Sequence, residues 1–141
     1  MKSCYESEKN IHFITEISEP QEWLGWVQTF NVGLLPTYYK AESFPTVIVE
    51  YISCNKPVIA TNVAEIPRML HYKNKDAGIL ISCDPFAGVK WEDLKTAMEK
   101  IYLEKILYDE YRENCIVVFE QFSMELCVEK YFDAYMYDGE V

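Results

Sequence analysis

Four short apolar runs constrain this chain more than any other feature: Ile11-His12-Phe13-Ile14, Val32-Gly33-Leu34-Leu35, Pro57-Val58-Ile59-Ala60 and Gly78-Ile79-Leu80-Ile81. Each is too short to be a stable helix. The last three are apolar without alternation, the pattern of strands buried on both faces. Helical spacing fills the gaps. Trp23, Leu24, Trp26, Val27 and Phe30 recur at intervals of 3 and 4 between Glu19 and Phe30, and Pro20 suits the first turn. Ile66 to Leu70 reads as a short helix. Strand, helix, strand, helix, strand, helix, strand predicts an α/β fold: an open parallel Rossmann-like sheet with helices on both faces.

One segment reads two ways. Thr46-Val47-Ile48-Val49 is β-branched and by propensity alone would be a strand. It must nevertheless cross over between two parallel strands, so a helix from about Pro45 to Cys54 is expected. Asn55 supplies a left-handed residue to end it, and Pro57 follows at the usual distance.

From Trp91 to Tyr137 the pattern is helical throughout. Trp91, Leu94, Met98, Ile101 and Tyr102 share one stripe. Tyr111, Cys115, Val118 and Phe122 share a second, and Leu126, Cys127, Tyr131, Ala134 and Tyr135 a third. All three are expected to be core rather than a cofactor box. Ser123 marks a new helix N-terminus. The chain is thus expected to form one domain, a parallel core over about 11–90 followed by a helical tail over about 91–137, with no repeat or linker.

Composition excludes several functions. The net charge of −10 opposes a nucleic-acid footprint, which needs clustered Lys and Arg. The first eight residues lack the apolar run of a signal peptide, and no stretch reaches the ~18 apolar residues of a membrane span. The five cysteines are scattered and odd in number, as expected of reduced thiols in the cytoplasm. There are two histidines, no C-x-x-C and no D-x-D element, so no metal site is expected.

In open parallel sheets, ligands bind beyond the carboxyl ends of the strands. The loops there are Pro36–Phe44, Thr61–Glu65 and Ser82–Lys90. The first places Glu42 at a strand-to-helix junction, and Glu50 lies eight residues on, inside an apolar helix. Eight helical residues span roughly 12 Å. Two carboxylates at that distance can grip opposite ends of an elongated ligand. Between them lies a helix N-terminus, whose free N–H groups and dipole favour phosphate. Hydroxyls at both ends and phosphate between describe a nucleotide sugar. The same spacing also fits a solvated loop acid and a hydrogen-bonded helix acid, because two acids eight apart recur by chance.

The motifs around this pair resemble the C-terminal, donor-binding half of a group 1 (family 4) glycosyltransferase. The matching elements are Leu35-Pro36-Thr37, Glu42-Ser43-Phe44-Pro45, Glu50, Asn55-Lys56-Pro57-Val58-Ile59-Ala60-Thr61, Val63-Ala64-Glu65-Ile66-Pro67 and Ala77-Gly78-Ile79-Leu80-Ile81. Together they carry the E-x7-E motif of that family. The tail from Phe122-Ser123-Met124 through Tyr131 and Tyr135 resembles its closing helix. The resemblance covers roughly residues 11–137 and is specific over 35–67.

It implies a retaining, metal-independent transfer with no cofactor and a nucleotide sugar as donor substrate. Glu42 would hold hydroxyls of the donor sugar and be the catalytic residue. The backbone around Ser43, Phe44, Pro45, Thr46 and Val47 would face sugar and diphosphate, and Glu50 would bind the ribose. The resemblance also implies an N-terminal acceptor domain or a partner subunit beyond this chain, and the Gly-rich turn and Arg–Lys pair of the family's first strands are not found here. Three positions depart from the pattern: Asn55 and Ala64 stand where Gly is usual, and Ser43 replaces a commoner Gly while offering an N-cap hydroxyl. A non-catalytic interaction module that self-associates through an exposed sheet edge is the competing expectation. A generic nucleotide-binding domain ranks below both, since G-x-G-x-x-G and the P-loop pattern are absent. A cytoplasmic protein, free or at the cytoplasmic face of a membrane, is expected.

Overall fold

A computed structural model describes residues 10–14, 16, 17, 19–84 and 86–136. Tyr137, Cys4 and the first eight residues lie outside the described residues. In chain order the elements are α1 (Pro20–Thr29), β1 (Gly33–Leu35), α2 (Thr46–Ser53), β2 (Val58–Thr61), α3 (Ile66–Met69), β3 (His71–Tyr72), β4 (Lys75–Asp76) and β5 (Gly78–Ile81). They continue with β6 (Cys83–Asp84), β7 (Gly88–Val89), α4 (Trp91–Leu103), α5 (Lys105–Phe119), a 3-10 turn (Glu120–Phe122) and α6 (Met124–Met136).

β1, β2 and β5 form the parallel sheet in that order. Gly33 pairs with Val58 and Leu35 with Ala60 on one side of β2, and Val58 pairs with Gly78 and Thr61 with Ile81 on the other. All four residues of the central strand are buried, as an unbroken apolar run requires. The sheet is covered on both faces. On one face Val58 and Ala60 pack with Val27, Ile48, Ile52, Ile66, Cys115 and Val118. On the other, Ile59 and Ile81 pack beneath Ala97 and Ile101 of α4.

The β-branched segment 46–49 is helical, as its crossover role demands. Its buried face is Ile48, Tyr51 and Ile52. Asn55 ends the helix at φ 55°. The Asn55 N–H bonds the Ile52 carbonyl and the Lys56 N–H bonds the Tyr51 carbonyl, both at 3.0 Å. These two bonds are the Schellman arrangement, which satisfies carbonyls that the helix end leaves open.

The structure corrects the expected strand at Ile11–Ile14. Those residues form no strand, and Ile11, Phe13 and Ile14 are exposed. The run makes no ladder with β1, whose outer edge stays unpaired, so an apolar composition alone does not make it a strand.

The tail is helical, with two differences from expectation. The second stripe is core: Cys115 and Val118 are fully buried, and Tyr111 and Phe122 pack against the two clusters. Asn114, also buried, donates to the Asp76 carbonyl at 2.9 Å and ties α5 to β4. Burial pushes the Cys115 thiol up to about 12, so it is an inert hydrophobe. In α4, however, only Leu94 and Ile101 of the stripe reach the core, while Trp91, Met98 and Tyr102 are exposed. The α6 stripe buries nothing: no residue of that helix is buried, and Tyr131 and Tyr135 are exposed. Nothing among the described residues lies opposite this face. Ser123 caps α6 as expected, its Oγ accepting the Leu126 N–H at 3.2 Å.

Two hairpins were not legible in the sequence. β3 and β4 are joined by Lys73 and Asn74, both at positive φ, the geometry of a type I′ turn. β6 and β7 close over a turn in which Asp84 Oδ1 accepts the N–H groups of Phe86 at 2.8 Å and Ala87 at 2.7 Å. No helix among the described residues is long and apolar enough to cross a membrane.

Candidate functional site

The loops after β1, β2 and β5 leave the same end of the sheet, since the three strands are parallel. They are stitched together. Fully buried Thr61, at the end of β2, donates its hydroxyl to the Thr37 carbonyl at 2.5 Å and fixes the start of the β1 loop. Thr37 Oγ1 then accepts the Tyr39 N–H at 3.2 Å, and the Glu42 N–H donates to the Tyr39 carbonyl at 3.2 Å. The loop is therefore a folded turn that presents Glu42, half-buried, just before α2. Its flank meets the β6–β7 turn, where the Lys40 ammonium lies 5.1 Å from the centre of the Phe86 ring. The backbone N–H bonds of Ala87 and Phe86 hold the Asp84 carboxyl below its usual range.

The helix N-terminus behind Glu42 is open. Its N-cap is Pro45, and no side chain caps it. Pro45 cannot donate or accept with its side chain, so the first-turn N–H groups at Thr46 and Val47 remain aimed out of the helix. This corrects the expectation for Ser43. That residue is exposed and makes no cap, because the helix starts at Thr46 with Pro45 as its N-cap, and Ser43 lies two residues outside that position. Phe44 is exposed but not loose. Its ring meets Phe122 edge-on, with centroids 5.8 Å apart at 72°. The C-terminal turn thus braces the loop from below.

Glu50 lies one turn into α2, on the same side as exposed Thr46 and opposite buried Ile48 and Ile52. Its carboxylate is half-buried and accepts the indole N–H of Trp23 from α1. Burial, and then the nearby Glu50 carboxylate, pushes the Tyr51 phenol up. Glu42 and Glu50 therefore flank one uncapped helix N-terminus, one acid before it and one a turn inside it. Chemically, this set of groups can accept hydrogen bonds at two points and offers N–H donors between them.

Sequence reasoning did not find Trp23, which it counted only as part of a helical stripe. No local signal links a residue on α1 to one on α2. Lys40, Lys56 and Arg68 are each engaged: Lys40 over Phe86, Lys56 to the Gln28 carbonyl at 2.9 Å, and Arg68 with Glu65 at 3.4 Å. An apolar groove lies elsewhere. About 340 Å³ of space opens between the face of β1 and β2 and helices α4 and α5, lined by Leu34, Ile59, Met98, Ile101, Tyr102 and Tyr108 among others.

Ala64 carries a cost. It sits at φ 47° in the first central position of a turn that the Ile66 N–H closes on the Val63 carbonyl at 3.1 Å. Its Cβ disfavours that backbone. Ala64→Gly is expected to stabilise the fold by about 0.5–1 kcal/mol, since removing the left-handed penalty outweighs the added freedom of the unfolded chain. Urea denaturation checks this, and an unchanged or lowered midpoint would contradict it.

A family model described as glycosyl transferases group 1 matches residues 2–117. No curated protein matches the chain. Among solved structures, the fold is similar to that of sucrose-phosphate synthase from Thermosynechococcus elongatus, with a TM-score of 0.61 and 22% sequence identity. That similarity covers 91% of this chain and 31% of the other, so the present chain spans about a third of the length of that protein.

Proposed function

The chain belongs to the group 1 glycosyltransferases, and from that premise we propose that it binds the nucleotide-sugar donor of a retaining, metal-independent glycosyl transfer. Glu42 accepts from hydroxyls of the donor sugar. The N–H groups at the start of α2, around Ser43 to Val47, face the sugar and diphosphate. Glu50 accepts from the ribose. The carrying observation is the uncapped N-terminus of α2 between two half-buried carboxylates. An anion there gains from both the open N–H groups and the helix dipole.

The site is one wall of a cleft. An acceptor domain or partner subunit supplies the other wall, which fits a chain that spans a third of its structural relative. The outer edge of β1 supports this reading. It has a strand on one side only. The location proposed is the cytoplasm, supported by Cys54, Cys83, Cys115 and Cys127, none of which is in a disulfide.

The test is a calorimetric titration with UDP-, GDP- and ADP-sugars. Weak binding of at least one is expected, and Glu50→Ala should reduce it ~10-fold or more through the loss of charge-assisted hydrogen bonds. Identical titrations for both proteins would count against the reading. A second reading, an interaction module that keeps the fold without the chemistry, is favoured by strained Ala64 and by the open edge of β1. A tight self-dimer in sedimentation that ignores every nucleotide sugar would select it.

A further inference from the structure

We propose that Trp23 is a positioning residue for Glu50, setting the carboxylate for a vicinal diol. The inference rests on the ribose role of Glu50 proposed above. Glu50 stands on the outward side of α2, where a glutamate is free to sample several rotamers. Trp23 removes that freedom. Its ring packs against the buried core, and its N–H donates to Glu50 Oε2. An indole N–H is a donor only, so it takes one acceptor position of the Glu50 carboxylate. Among the described residues no other donor bonds this carboxylate. Oε1 and the remaining lone pair of Oε2 stay available to two neighbouring hydroxyls.

The brace is itself anchored. α1 is held against α2 at its other end, where Lys56, just beyond α2, donates to the Gln28 carbonyl at 2.9 Å. The indole therefore cannot drift from Glu50 without α1 leaving the core. A carboxylate fixed before the ligand arrives loses little further freedom on binding, which is the advantage of preorganisation.

The experiment uses the full 141-residue chain. UDP, GDP and ADP are titrated beside their 2′,3′-dideoxy counterparts, and the ratio of affinities is the readout. The chain should prefer the ribose form of the nucleotide it recognises, and Glu50→Ala should erase that preference. Trp23→Phe keeps an aromatic ring without the donor, and should cut the preference ~3–10-fold while leaving dideoxy binding nearly unchanged. In the Glu50→Ala background Trp23→Phe should change the ratio no further. If Trp23→Phe does not fold, benzothienylalanine at position 23 keeps the shape of indole without the N–H and gives the same readout.

A merely structural role would weaken both nucleotide forms equally and would overturn the inference. So would full ribose preference in a folded Trp23→Phe protein whose Glu50→Ala counterpart has lost it. If the unmutated chain shows no ribose preference, or Glu50→Ala retains it, the role of Glu50 falls and this inference falls with it.

Discussion

Gly78→Ala is expected to destabilise the domain severely. Gly78 opens β5 and pairs in parallel register with Val58. A Cβ built on Gly78 would lie 1.8 Å from the Val58 carbonyl oxygen, inside any permissible contact. The obstacle is backbone, so no side chain can swing aside. Val58 cannot retreat either, because it is fully buried in the central strand and its N–H is bonded to the Ala77 carbonyl at 3.0 Å. Relief requires separating β2 from β5, and the two apolar clusters meet at that seam. A loss of about 3–5 kcal/mol follows, set against the 5–15 kcal/mol that holds a typical domain together. Gly25→Ala is the matching control. That residue lies within α1 with nothing within 4 Å of an added Cβ, so alanine there should stabilise by about 0.5–1 kcal/mol. Chemical denaturation of both variants is the check. Equal midpoints would mean that β5 does not press on β2 as described.

The second large effect is on chemistry. Glu42→Ala should abolish donor-sugar recognition while sparing the nucleotide. Glu42 sits in the folded turn after β1, and Glu50 and the first turn of α2 lie beyond it. If Glu42 accepts from sugar hydroxyls, its removal should weaken a nucleotide sugar ~10-fold or more and leave the free nucleoside diphosphate unchanged. Wherever the chain is part of an assembly that transfers sugar, the rate should fall ~100-fold or more, the usual scale for removing one preorganised electrostatic contact. Equal weakening of sugar nucleotide and free nucleotide would move Glu42 off the sugar and into the structural role of a loop acid.

The three strands of the parallel sheet and the crossover helix could be read from the sequence, for a common reason. Each depends on neighbours close in the chain. The apolar runs of β1, β2 and β5 announce burial on both faces by their lack of alternation. The helix at Thr46–Val49 could be recovered against its β-branched composition, because a parallel connection needs a crossover and Asn55-Lys56-Pro57 marks its end. What could not be read is set by distant partners. Ile11–Ile14 has the composition of a strand, but strandhood is a property of a pair, and the run pairs with no described strand. The α6 stripe looks like core because periodicity reports amphipathicity, not what covers the apolar face. The Ser43 cap is displaced by two residues, because Pro45 itself takes the extended N-cap position and the helix starts at Thr46. The Trp23–Glu50 bond joins residues 27 apart on different helices and leaves no trace in local pattern.

The central claim is that the start of α2, between Glu42 and Glu50, is where the charged bridge of a donor docks. The most direct measurement is amide NMR of the full chain during titration with nucleoside diphosphates and their sugars. The largest shifts are expected at the N–H groups of Thr46 and Val47 and at the Trp23 indole, saturating together. Shifts confined to the apolar groove, at Leu34, Met98 and Tyr102, with Thr46 and Val47 unmoved, would contradict the account.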